Sequence, residues 1–201
     1  CGDVWVNGHA LAAQASQLLE AEDLLQVETQ LFRLKRLDAL DLQFHLDMLA
    51  SSTLDPLTGL GNRAAILRQL EAQVEVARRH RRPLSVILVD LDDLKGVNDR
   101  HGHGAGDRAL EAMAAVLHRR FRISDLVGRV GGDEFLVLLP DARVTQVMRV
   151  AEELRSTLEA CGLDLGGGRR VELTCSLGVA EHAFGEEDGQ ALLARADEAL
   201  Y

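Results

Sequence analysis

Leu126-Val127-Gly128-Arg129-Val130-Gly131-Gly132-Asp133-Glu134-Phe135-Leu136-Val137-Leu138-Leu139 sets two apolar runs on either side of a paired glycine. This pattern predicts a β-hairpin over residues 125–139, because paired glycines reach positive φ at both turn positions without a Cβ penalty. Asp133 and Glu134 follow at once, at a tip where the backbone stays exposed and a ligand can come close. A second acidic cluster, Asp90-Leu91-Asp92-Asp93, ends the apolar run Val86-Ile87-Leu88-Val89. Acids at the ends of two neighbouring strands form a plausible cage for a hard divalent cation.

Outward from the hairpin, the pattern alternates between helix and strand. A helix is expected over residues 62–80, a strand over 84–90, a short helix over 94–99 and a longer one over 107–121. After the hairpin come a helix over 142–160, a flexible turn at Gly166-Gly167-Gly168, a strand over 170–179 and a helix from Gly189 onward. A hairpin interrupting this alternation means that the sheet is not all parallel. The predicted class is α+β, with a ferredoxin-like, mostly antiparallel central sheet flanked by helices.

Residues 12–50 contain neither Gly nor Pro and read as one long helix. Leu24, Val27, Leu31 and Leu34 follow the 3-4-3 spacing of a coiled-coil seam. Leu37, Leu40 and Phe44 continue it after a repeated three-residue step, a stammer. A single amphipathic helix packed on another domain fits the same spacing. Ser51-Ser52-Thr53 and Asp55-Pro56 then end the helix, since the residue before proline disfavours αR. Residues 1–10 are too short to assign.

The 201 residues suffice for one domain and an appendage, and 47% of them are apolar, so a sizeable core is available. The net charge of −10 argues against a nucleic-acid surface held by phosphate attraction. A nucleotide substrate remains compatible with it, because a bound cation and a few bases reverse the field within one cleft. No apolar run approaches bilayer length and no signal peptide is present, so no membrane contact is expected of this segment. Cys1 in place of Met points to a piece of a longer protein. Cys1, Cys161 and Cys175 form no metal or redox motif and read as reduced thiols of a cytoplasmic domain.

Together these residues resemble the GGDEF-domain diguanylate cyclases, whose namesake motif is Gly131 to Phe135. The resemblance includes Asp55-Pro56-Leu57-Thr58-Gly59-Leu60-Gly61-Asn62-Arg63, Asp90 through Asp99, and Gly102-His103-Gly104-Ala105-Gly106-Asp107. It continues through Thr174-Cys175-Ser176-Leu177-Gly178-Val179-Ala180 to Ala196-Asp197-Glu198-Ala199-Leu200-Tyr201, in the family's order and spacing. It implies residues 1–54 as the end of a sensory region with a signalling helix, and 55–201 as the cyclase domain, ending just before a basic segment that helps hold the triphosphate. It implies a nucleotidyl-cyclase or polymerase-palm-like fold. It also favours the parallel coiled coil, as the link of a homodimeric catalyst to an upstream sensor.

The implied reaction condenses two GTP into cyclic di-GMP with loss of two pyrophosphates. The metal positions are Asp90, the carbonyl of Leu91, and Asp133, for two Mg2+ (or Mn2+) ions per GTP. Magnesium needs few protein carboxylates, because phosphates and water complete its octahedron. Glu134 is the next carboxylate, suited to aiding hydroxyl deprotonation. Asp93, Leu94 and Lys95 lie at a helix N-terminus that favours phosphate; the family usually carries an aromatic residue at Leu94. Asn98 and Asp107 match the guanine readers, and their donors and acceptors complement guanine rather than adenine. His101 and His103 lack partners at metal-ligand spacing, and His103 reads as a structural hydrogen-bonding residue. Arg122 and Asp125 match the inhibitory site for the product. The alternative is a catalytically silent module that binds GTP or cyclic di-GMP and regulates a partner.

Overall fold

The computed structural model describes residues 4–12, 16–27, 30–34, 48, 52–122, 124–165, 170–185 and 187–200. The chain divides into two compact units, Cys1–Leu49 and Ala50–Tyr201.

Among the described residues of 16–34, the first unit corrects the expectation of a long helix. Strands β1 (Val4–Val6), β2 (His9–Ala10), β3 (Leu24–Val27) and β4 (Gln30–Arg33) form an antiparallel sheet in the order β2-β1-β3-β4. Leu24, Val27 and Leu31 therefore lie on strands, not on a coiled-coil seam. Asn7 and Gly8 turn the first hairpin with φ of 51° and 81°, the conformation that makes Asn-Gly a strong hairpin signal. Asn7 also ties β3 in place: its side chain donates to Asp23 at 2.8 Å and accepts from the Leu24 N–H at 2.8 Å. Long-range pairing overrides the helix propensity of a Leu- and Gln-rich segment. Leu37, Leu40 and Phe44 lie outside the described residues.

The second unit is built on strands β5 (Leu84–Leu91), β6 (Leu126–Arg129), β7 (Glu134–Pro140) and β10 (Cys175–Glu181). Their order is β10-β5-β7-β6 and every neighbouring pair is antiparallel. Helices α1 (Arg63–His80), α2 (Leu94–His101), α3 (His103–Arg120), α4 (Val144–Cys161) and α5 (Gly189–Glu198) complete it. The chain order β5-α2-α3-β6-β7-α4-β10 is the expected ferredoxin-like arrangement. The strand expected over 170–179 is broken: β8 (Leu163–Asp164) and β9 (Arg170–Val171) pair as a small separate ribbon, and β10 starts at Cys175. The glycine turn at 166–168 lies outside the described residues.

Both sheet faces are covered, which is why β5 reads as an unbroken apolar run. Ile87, Val89, Leu91, Phe135 and Val137 pack with Met113, Leu117, Leu154 and Leu158 of α3 and α4. Val86, Leu88, Leu136 and Leu138 pack with Ile66, Leu70, Leu192 and Ala196 of α1 and α5. Each fully buried leucine contributes about 1.5–3 kcal/mol over its exposed state. Asn62 caps α1 by accepting from the Ala65 N–H at 2.9 Å, and Asp188 caps α5 by accepting from the Ala191 N–H at 2.8 Å. This framework brings the C-terminal end of β5 beside the turn between β6 and β7.

Candidate active site

Antiparallel register sets the central geometry. Asp90 pairs directly with Glu134 on one side and with Ser176 on the other, so these side chains share one face of the sheet. Asp133 stands one residue before Glu134, and its carbonyl accepts from the Leu91 N–H at 3.1 Å. The acids at the ends of β5 and β7, far apart in sequence, therefore converge.

Their electrostatics match that crowding. Partial burial, then the negative charges of Asp133, Glu134 and Asp92, push the Asp90 carboxyl up to about 6. Among the described residues no Lys, Arg or His forms an ion pair with Asp90, Asp133 or Glu134. Nor does a group of three or more His, Cys, Asp or Glu side chains assemble a metal cage there. Crowded, uncompensated carboxylates fit a cation that draws its remaining ligands from phosphates and water.

The two glycines act differently from the expectation. Neither Gly131 nor Gly132 takes a positive φ. An ideal Cβ on Gly131 would stand 2.2 Å from Glu134 Oε2, whereas one on Gly132 meets nothing within 4 Å. Gly131 thus makes room for the Glu134 carboxylate, and Gly132 leaves the tip open.

The helix after β5 departs in detail from a bare phosphate cradle. Asp93 sits in the left-handed region at φ 52°, and Arg100 donates to its carboxylate at 2.8 Å, which holds Asp93 below its ordinary range. The Asp92 N–H is already taken by the Thr174 carbonyl at 3.0 Å, and the Asp92 carboxylate accepts from Ser176 Oγ at 2.8 Å. Leu94 packs against the core on the α3 and α4 side, and Lys95 is exposed.

Asn98 lies on α2 and Asp107 on α3, and Gly106 joins them. An ideal Cβ on Gly106 would stand 2.1 Å from Asn98 Oδ1, a buried oxygen without a hydrogen-bond partner. Asp107, the next residue, is exposed. An orphaned acceptor beside an exposed carboxylate suits a ligand edge rich in donors. His103 opens α3 as an exposed side chain without a hydrogen bond to any described residue, so its expected structural role is not found.

Arg122 and Asp125 close a tight turn before β6. The Arg122 N–H donates to Asp125 Oδ2 at 2.9 Å, and the Asp125 N–H donates to the Arg122 carbonyl at 3.0 Å. The bond uses the Arg122 backbone, and among the described residues no ion pair joins its guanidinium to Asp125. A cleft of about 420 Å³ opens beside them, lined also by Gly59, Gly61, His118 and Phe121.

Sequence reasoning assigned no role to two arginines at the turn. Arg129 donates to the Gly132 carbonyl at 2.6 Å and pairs with Asp55 at 3.3 Å; Arg63 donates to the Val130 carbonyl. Asp55 loses some acidity through partial burial, but hydrogen bonds from Thr58 and the Arg129 charge bring it below its ordinary range. Arg63 ends the motif stretch that begins at Asp55 and Arg129 lies in the hairpin run before Gly131, but nothing local points to the carbonyls they hold.

Fold and site together define a class: a ferredoxin-like α+β domain carrying a carboxylate cluster where its central strands end. A family profile described as "Diguanylate cyclase, GGDEF domain" matches residues 52–201, and the chain belongs to that family. It is 40% identical over 192 residues to diguanylate cyclase DgcP of Pseudomonas aeruginosa, covering 94% of this chain and 28% of that protein. It is 36% identical over 179 residues to the response regulator PleD of Caulobacter vibrioides, covering 88% of this chain and 39% of that protein. The chain thus spans well under half the length of these curated relatives. Among solved structures, it resembles the coiled coil and GGDEF domain of DgcB from Caulobacter crescentus in complex with c-di-GMP. There the TM-score is 0.74 at 31% identity, over 80% of this chain and 85% of that one. Among the described residues no helix is long and apolar enough to cross a membrane.

Proposed function

We propose that this chain is a diguanylate cyclase, condensing two GTP into cyclic di-GMP. The observation that carries the reading is the pairing of Asp90 with Glu134, with Asp133 beside them and no base neutralising the three among the described residues. Each 3′-hydroxyl attacks the α-phosphate of the other GTP; an O3′–P bond forms and the bond to pyrophosphate breaks. Asp90, Asp133 and the Leu91 carbonyl would hold Mg2+ or Mn2+, two ions per GTP, supplying charge that acidifies the hydroxyl and stabilises the leaving oxygen. Glu134 would take the hydroxyl proton. Asn98 and Asp107 read guanine, and Asp93, Leu94 and Lys95 line the phosphate end. One subunit binds one GTP, so two copies must face each other. Cyclic di-GMP held by Arg122 and Asp125 would slow the reaction through a second site; that the DgcB neighbour was solved in complex with c-di-GMP supports binding of the product.

The test is incubation of the full chain with GTP and magnesium, with products separated by anion exchange and weighed. GTP alone and GTP mixed with ATP are both run. Cyclic di-GMP production that disappears in Asp133→Ala is expected. Binding of GTP without turnover would replace this reading with the silent module.

A further inference from the structure

We propose that the lead-in loop over residues 54–63 holds the metal-binding turn in shape, with Arg129 and Arg63 as positioning residues; this rests on the cyclase reading. The turn between β6 and β7 does not support itself through left-handed glycines. Three of its carbonyls are instead gripped from outside the hairpin tip. Val130 accepts from Arg63, Gly132 accepts from Arg129 at 2.6 Å, and Asp133 accepts from the Leu91 N–H at 3.1 Å.

Both guanidiniums are anchored to the same loop. Arg63 opens α1, directly after its cap Asn62. Arg129 reaches back to Asp55, and these side chains are only 17% and 18% exposed, so the pair is shielded from solvent. Asp55 in turn accepts from the Thr58 N–H at 2.9 Å and from Thr58 Oγ1 at 2.6 Å, which fixes its carboxylate.

The loop is also locked to β6 by backbone. The Gly61 N–H donates to the Val127 carbonyl at 3.1 Å, and the Arg129 N–H donates to the Gly61 carbonyl at 2.8 Å. An ideal Cβ on Gly128 would stand 2.5 Å from Ile66 Cβ and 2.8 Å from the Gly61 carbonyl oxygen, so strand and loop touch without slack. A displacement of the loop therefore carries Arg129 with it and shifts the carbonyl next to Asp133. A planar guanidinium reaches Asp55 and the Gly132 carbonyl with separate nitrogens, a geometry that the single ammonium of lysine reproduces only in part.

The test uses the full chain and the variants Arg129→Gln, Arg129→Lys and Arg63→Gln. Four quantities are measured: thermal stability, kcat and KM for GTP, Mn2+ affinity by electron paramagnetic resonance without nucleotide, and amide hydrogen exchange at Leu91, Val130 and Gly131. In Arg129→Gln, Mn2+ affinity should fall about 10–100-fold, as for loss of an outer-shell partner. Its kcat should fall about 100-fold, as for a displacement near 1 Å, with KM for GTP changed far less. The three amides should exchange faster while core amides of β5 keep their rates. Arg129→Lys should recover part of each effect, and Arg63→Gln should give a smaller loss of the same kind. Folded variants with wild-type Mn2+ affinity, kcat and exchange would overturn the clamp. If Arg129→Gln fails to fold, Arg129→Lys and Arg63→Gln decide by the same criteria. A wild-type chain without turnover would sink the cyclase reading instead, while hydrogen exchange in the variants still judges the clamp.

Discussion

Replacing Gly131 with alanine should separate catalysis from stability at the hairpin. Gly131 has no positive φ, so alanine fits its backbone. The new methyl group would stand 2.2 Å from Glu134 Oε2 and 3.1 Å from Glu134 Cβ and Cδ. Carbon contacts settle near about 3.5–4.0 Å, so the carboxylate must withdraw by about 1 Å or more. The tightest obstacle, Oε2, is the end of a flexible side chain, and forcing it off its rotamer costs about 0.5–1.5 kcal/mol. For a domain of this size each kcal/mol moves Tm by about 2–4 °C, so Tm should fall by about 6 °C at most. Activity should suffer far more. A reacting group misplaced by about 1 Å can lose about 100-fold in rate, and Glu134 is moved away from its place opposite Asp90. The assay pairs differential scanning fluorimetry with single-turnover formation of cyclic di-GMP, using Glu134→Gln as reference. If Gly131→Ala keeps activity within about threefold of wild type while Glu134→Gln loses it, the role given to Gly131 is wrong.

Gly178→Ala should behave in the opposite way: its ideal Cβ lies 1.9 Å from the Ala196 carbonyl oxygen, part of the α5 backbone, and overpacking against backbone exceeds the usual cost of about 1–3 kcal/mol. A drop in Tm under about 5 °C by calorimetry would contradict that contact. Burial, then the neighbouring acids, lift the Asp90 carboxyl from its ordinary 3.8 to about 6 in the folded chain, so the folded state favours its protonated form. Stability from this group is therefore present at low pH and lost as pH rises through 3.8 towards 6. A divalent cation should relieve the loss, and its apparent affinity should fall towards about tenfold per pH unit below the folded value; equal Mn2+ affinities at pH 5 and 7 would refute this. Arg122→Ala retains the backbone bond to Asp125, so stability should change by no more than about 0.5 kcal/mol. Its cyclic di-GMP affinity should fall at least about tenfold, the weight of one charged hydrogen bond, and calorimetric titration reads both cases.

Much of the cyclase-like unit was legible in the chain because its signals are local. Both faces of β5 are buried, so it appears as an apolar run ending in acids. Asn62 and Asp188 are side chains that cap helices where polar residues precede apolar periodicity. The first unit was misread. Leu24, Val27 and Leu31 have helical spacing, but β3 pairs with β4 across a short hairpin and with β1 from far upstream, and Asn7, 17 residues before Leu24, ties β3 in place. The Asn7-Gly8 turn signal lies within residues 1–10, a stretch too short to assign by itself.

At the hairpin, Gly131 through Phe135 could be recognised from sequence alone, and with Asp90 they predicted a site for a cation and phosphates. Only the tertiary structure decided how that turn is held. Neither of its glycines takes a positive φ, Gly131 serves clearance, and its carbonyls are bound by Arg63 and Arg129. Arg63 lies 67 residues before Val130, and Asp55 lies 74 before Arg129. Such contacts carry no periodicity and no local conformational preference, so they become visible only once the sheet has set its register and brought loop and turn together.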